Sequence, residues 1–197
     1  MAAILQSLGR TIIAGIILLI LLVAIVSGVT GTGPHFDHAW GAFVMRWLHV
    51  VAGIMWIGLL WYFNFVQIPS MPKIPDEQKP AIGKVIAPTA LFWFRWAALA
   101  TVITGLLVAT MNGYIVAALS LQAPVTAIGI GMWIALVMAF NVWFIIWPNQ
   151  KKALGIVVVE AAEKAAAART AMLTSRVNTM LSISMLYMMV AQQNGGL

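Results

Sequence analysis

The sequence predicts an all-α fold: a polytopic membrane bundle of five transmembrane helices with one additional cytoplasmic helix. Three observations carry this. Of its 197 residues, 62% are hydrophobic and only 8% are charged, against about 25% charged in an ordinary soluble domain. The apolar residues fall into long runs, and a run of roughly 20 residues suffices to cross a bilayer as a helix. The runs are separated by short segments that hold most of the prolines and charges.

The first predicted span is 11–29 (TIIAGIILLILLVAIVSGV), preceded by Arg10. Its apolar run exceeds the 7–15 residues usual for a signal-peptide core, so it reads as a retained helix. Residues 30–40 form a Gly/Pro-punctuated loop containing His35, Asp37 and His38, a weak and nonspecific metal-binding pattern. The second span, 41–66, is unusual in carrying Arg46, His49 and Asn64, with Gln67 just beyond it. Residues 67–87, with four prolines and five charges, predict a solvated loop. The third span, 88–111, holds Arg95 near its start. The fourth, 124–147, is predicted to stop at Pro148. An alanine-rich stretch, about 150–172, predicts a cytoplasmic amphipathic helix, with Glu160 and Lys164 at i,i+4 spacing. The fifth span is 176–191. The chain is predicted to form a single membrane domain.

Orientation follows from charge. An odd number of spans places the N-terminus, the 67–87 loop and the 148–175 segment on one side, and there lie Arg10, Lys73, Lys79, Lys84, Lys151, Lys152, Lys164 and Arg169. The opposite loops, 30–40 and 112–122, hold no Lys or Arg. The positive-inside rule then predicts N-terminus in, C-terminus out, as expected in a bacterial inner membrane. The net charge of +6 reflects these loops and gives no reason to expect a nucleic-acid partner. The chain has no cysteine, which excludes disulfides, iron–sulfur ligation and covalent c-type haem.

Polar groups within spans are costly and mark candidate sites. At about 100° per residue, His49, Gly53, Trp56, Leu60 and Asn64 share one broad helical face, with Arg46 close to it. A histidine, a glycine gap and a flanking cation fit a haem b site: His49 as iron ligand, Arg46 as propionate partner, Gly53 and Trp56 lining the group. The bland alternative is a histidine bonded to a neighbouring helix. No other span contains histidine, so a second axial ligand must be His35 or His38 from the loop, or a methionine such as Met132, unless the iron is five-coordinate. Toward the inner boundary Asn64, Gln67, Arg95, Asn141, Asn149, Arg176 and Asn178 gather, of which Arg95, Asn141, Asn64, Arg176 and Asn178 form a candidate catalytic cluster. The nine tryptophans read mainly as an interfacial belt and the twelve methionines as apolar packing.

Blocks LHVVAGIMWIGLLWYFNFVQIP (48–69), FWFRWAALATVITGLL (92–107), NVWFIIWPNQKKALG (141–155) and SRVNTMLSISMLYMMVA (175–191) resemble the membrane domain of bacterial cytochrome c-linked urate hydroxylases, also called membrane urate oxidases. The first block, with a histidine followed seven residues on by W-x-G, also resembles the haem-binding motif of small membrane protoporphyrinogen oxidases. The first resemblance implies urate oxidation, with electrons passing to a fused periplasmic cytochrome c domain. It highlights His49, Trp56, Asn64, Arg95, Asn141, Trp147, Pro148, Asn149, Gln150, Lys151, Arg176 and Asn178. Urate is a planar anion, suited to Arg and Asn groups. The chain departs from the family in lacking the cytochrome domain and in ending AQQNGGL, where a histidine is expected. Complete catalysis by this chain alone is therefore not expected.

Two functions of different class follow. One is a haem b redox subunit passing electrons to a separate cytochrome. The other is a non-catalytic accessory subunit that packs on other membrane subunits of a respiratory or photosynthetic complex. A transporter is a third reading, weakened by the lack of visible inverted repeats.

Overall fold

The computed structural model describes residues 2–196. Every regular element among them is helical. The chain divides into two compact units, Met1–Gly41 and Ala42–Leu197.

In the first unit, a single turn (Ala2–Leu5) precedes α1 (Leu8–Thr30). Gly31 ends α1 in the left-handed conformation, φ 69°, which only glycine adopts without a Cβ penalty. The Asp37 carboxylate accepts a 2.8 Å hydrogen bond from the Trp40 amide, capping the helix that starts at His38. The His35–His38 segment thus has a structural use for its only carboxylate.

The remaining helices are α2 (His38–Lys73), α3 (Lys79–Met111), α4 (Ile115–Leu119), α5 (Thr126–Ala153) and α6 (Ala161–Asn194). Among the described residues four helices are long and apolar enough to cross a membrane: α1, α2, α3 and α5. The chain is a helical membrane protein.

Helix α2 runs on past the expected boundary at residue 66, α3 begins nine residues before Pro88, and α5 passes through Pro148 rather than stopping there. The expected 67–87 loop shrinks to residues 74–78. The reason is common to all three sites. Each helix widens into a π turn, over Tyr62–Gln67, Ile82–Ile86 and Asn141–Ile146, and each π turn ends two residues before a proline: Pro69, Pro88 and Pro148. Proline cannot donate a backbone hydrogen bond, and its ring presses on the carbonyl four residues back. An i→i+5 turn upstream moves that carbonyl aside, so the helix continues instead of breaking.

The alanine-rich helix expected at 150–172 and the span expected at 176–191 are also drawn differently. Helix α5 ends near Gly155, φ 75°, and α6 then runs unbroken for 34 residues. No Gly or Pro occurs between 161 and 194, so the change from alanine-rich to apolar sequence has nothing to end the helix. The 112–122 turn contains the short helix α4.

Within the second unit, α2, α3, α5 and α6 share a core of Trp56, Leu60, Phe63, Phe94, Met138, Val142, Ile146 and Met185. Phe63 and Phe94 meet edge to face at 5.7 Å. Small residues admit close helix approach, as is usual between membrane helices: a Cβ on Gly129 would collide with the Ala118 carbonyl, seating α4 against α5.

Candidate functional site

The face anticipated on α2 does turn inward: Trp56 and Leu60 are fully buried, and His49 is half-buried one side of them. His49 Nδ1 lies 2.9 Å from the Thr101 carbonyl oxygen and 3.3 Å from Thr104 Oγ1 on α3. A carbonyl only accepts, so Nδ1 carries the proton and Nε2 of the neutral ring keeps its lone pair. Metal-ligating histidines are commonly held this way, with the second ring nitrogen tied to a carbonyl.

The imidazole lies over Gly105. A Cβ there would stand 2.8 Å from His49 Cε1 and 3.1 Å from Nδ1, so any side chain at 105 displaces the ring. Gly105 on α3 clears the space for the imidazole itself. A Cβ on Gly53 would meet only Thr101 Cγ2 at an ordinary 3.9 Å.

Beside His49 opens a cleft of about 410 Å³ between α2, α3, α5 and α6, within the roughly 300–1,000 Å³ usual for cofactor and small-molecule sites. Arg46, Gly53 and Trp56 line it as anticipated, and Met132, Tyr114, Met185 and Met189 join them. Two buried donors at the cleft lack any partner among the described residues: Arg46 Nε and Trp56 Nε1. Buried polar atoms are normally paired, so orphans in a cavity wall point to a ligand or water. Burial raises the Tyr114 phenol above its ordinary pKa, an effect that the nearby Arg46 charge partly offsets. Tyr114 sits just beyond α3, and nothing in its local sequence marks it for the site.

The five residues expected to form the inner cluster do not all converge. Asn178 is fully buried; its Nδ2 donates to the Met138 carbonyl at 2.9 Å, and its Oδ1 accepts from Asn141 Nδ2 at 2.8 Å. Asn64 donates to Ser175 Oγ at 2.8 Å and to its own helix at Leu60. These are interhelical clamps, α5 to α6 and α2 to α6. The Arg95 guanidinium lies 3.4 Å from the Trp147 ring centroid, a close cation–π pair, and its Nη1 is buried without a partner among the described residues. Arg176 is exposed and makes no hydrogen bond or ion pair among the described residues. It lies two residues from Asn178, about 200° around α6, so the two cannot share a face. Asn64 is fifteen residues along α2 from His49, about 22 Å at 1.5 Å per residue, so the cleft and the clamps occupy opposite ends of the bundle.

His49, Arg46, Gly53 and Trp56 are therefore brought to one cleft, whereas the inner residues resolve into two clamps, one cation–π pair and an outlying arginine. Compared with protein-family models, curated proteins and solved structures, the chain matches none.

Proposed function

We propose that this chain is a membrane-embedded haem b-binding subunit that exchanges electrons with a separate cytochrome. The observation that carries the reading is His49, its Nδ1 proton committed to Thr101 and its Nε2 lone pair available beside the cleft. The residues present fit the group. Gly105 makes room for the ring, Arg46 offers a cation for an anionic substituent, and the remaining wall is mainly apolar. A bound haem supplies one-electron exchange between ferric and ferrous states. This chain's residues hold and orient the ligating imidazole, neutralise charge at Arg46 and exclude water. By the resemblance, the electron source is urate or another small planar anion on the inner side. The group best suited to meet it is Arg95, with its unpartnered Nη1.

The reading includes five spans, α6 supplying the fifth, with N-terminus in and C-terminus out in a bacterial inner membrane. The chain has no cysteine, so single-cysteine labelling tests this cleanly. Asp37→Cys should react with an impermeant maleimide from the periplasmic side, and Asp76→Cys only after lysis. The reverse pattern overturns the orientation.

The accessory-subunit reading is favoured by the clamps, since Asn141 and Asn178 satisfy each other and leave little for a substrate. One experiment separates the two. The purified protein is examined oxidised and dithionite-reduced, with a pyridine haemochrome assay. A b-type spectrum lost in His49→Ala supports the redox subunit, and a folded, colourless wild type supports the accessory role.

A further inference from the structure

We propose that the corner between α3 and α5 binds an anionic phospholipid, its phosphate held by Arg95 and Lys151 and one acyl chain laid in the groove beside them. This inference does not depend on the haem reading. It starts from charge. The Arg95 guanidinium belongs to a residue only 9% exposed, and its Nη1 is buried without a partner among the described residues. It lies 3.4 Å from the Trp147 ring centroid, and Lys151 Nζ approaches the same ring at 5.7 Å. An indole face attracts a cation without neutralising it. Two cations gathered on one ring also repel each other. The chain has five carboxylates to offset them. Asp37 caps α2, Asp76 pairs with Lys79, and Glu163 pairs with Lys152. Glu77 and Glu160 are exposed, and neither forms an ion pair with Arg95 or Lys151. A buried charge without a counter-ion is costly in an apolar surrounding, so a bound anion supplies the missing negative charge.

The neighbouring groove decides the class of anion. Leu99 and Val102 of α3 and Leu136, Ala139, Phe140 and Phe144 of α5 line a furrow of about 230 Å³ whose wall is almost wholly apolar. Phe140 and Phe144 stack on each other at 4.9 Å along its α5 side. Leu99 and Val102 follow Arg95 at i+4 and i+7, which places all three on one stripe of α3. On α5, Phe140 and Phe144 precede Trp147 and Lys151 by a turn or two along the chain. The Arg95–Trp147 contact and the shared furrow set the two helices antiparallel. Both stripes therefore lead from the cations away from the helix ends, toward the middle of the membrane. A charged corner continued by an apolar furrow matches a phospholipid, with its phosphate at the boundary and its chain inward. A soluble anion would use the cations and leave the furrow without an occupant. Lys79, Lys84 and Lys152 flank the same ends of α3 and α5, the charge excess of a cytoplasmic side. Basic pockets between helices on that side suit anionic headgroups.

The test is native mass spectrometry of the delipidated full chain in detergent, titrated with phosphatidylglycerol, with phosphatidylethanolamine of the same acyl chains, and with glycerol 3-phosphate. Phosphatidylglycerol should bind the most tightly of the three. Lys151→Gln should weaken it about fivefold, the weight of one cation near an anionic surface. Arg95→Gln should weaken it at least as much. The partly buried Lys151 keeps the test open should Arg95→Gln fail to fold. Ala139→Phe fills the furrow and leaves both cations in place, so it should weaken phosphatidylglycerol and spare glycerol 3-phosphate. Equal binding of the two lipids, or phosphatidylglycerol binding unchanged in Lys151→Gln, overturns the role of the cations. Glycerol 3-phosphate binding as tightly as the lipid, with Ala139→Phe without effect, overturns the lipid and leaves Arg95 to a soluble anion. Failure of all three to bind overturns the site, and none of these results bears on the spectrum of the His49 cleft.

Discussion

The Thr101 carbonyl stands 2.9 Å from His49 Nδ1, and four residues further along the same helix Gly105 lies directly beneath the imidazole. One turn of α3 therefore fixes both the tautomer and the position of a ring carried by α2. The carbonyl decides which nitrogen holds the proton, and the missing Cβ decides where the ring can lie.

Gly105→Ala should disturb the site without touching any group able to ligate. The new Cβ, 2.8 Å from Cε1, forces His49 off its position. Overpacking of this kind costs about 1–3 kcal/mol. On the haem reading proposed above, haem retained per protein should fall and the Soret position should shift, whereas Gly53→Ala, with its nearest neighbour at 3.9 Å, should leave both nearly unchanged. Pyridine haemochrome content of the two purified variants checks this.

Asn178→Ala should loosen α5 from α6. It removes one bond to the Met138 carbonyl and leaves Asn141 Nδ2 without its acceptor in a buried position. The expected loss is about 1–3 kcal/mol for the unsatisfied group, tempered because hydrogen bonds between membrane helices average about 0.6 kcal/mol. Unfolding in mixed micelles measures it. On the haem reading, the spectrum of the His49 site should be unaffected, since the clamp lies at the other end of the bundle.

The Arg95–Trp147 pair should be coupled. A double-mutant cycle with Arg95→Gln and Trp147→Leu is expected to give about 0.5–2 kcal/mol of interaction energy for a desolvated cation–π contact. A coupling near zero would mean that Arg95 is held by its surroundings and that the stacking is incidental.

Tyr114 should ionise above the usual tyrosine value of about 10, because burial disfavours the phenolate more than Arg46 helps it. Its folded-state pKa is raised, so its stabilising contribution is present below about pH 10 and is lost as pH climbs through the folded value. Alkaline difference spectra of wild type and Tyr114→Phe isolate this step. A Tyr114 signal that titrates at or below the ordinary value would contradict the burial argument.

Hydropathy and helical periodicity were enough to establish the membrane class, four helices long and apolar enough to cross a membrane, and the inward face of His49, Trp56, Leu60 and Asn64. These depend on the local chain: an apolar run must leave water, and a 100° step determines which residues share a face. Helix ends were less legible. Proline marked them in sequence at Pro88 and Pro148, yet the packed helices absorb each proline with a π turn, because leaving backbone groups unpaired in an apolar surrounding costs more than widening one turn. Across helices the sequence was silent. Gly105 is 56 positions from the histidine it accommodates, and Arg176, grouped with Asn178 from the sequence, is turned outward on α6. Depth and rotation of one helix against another are settled by how their side chains interlock, and that is a property of the assembled bundle rather than of any stretch of the chain.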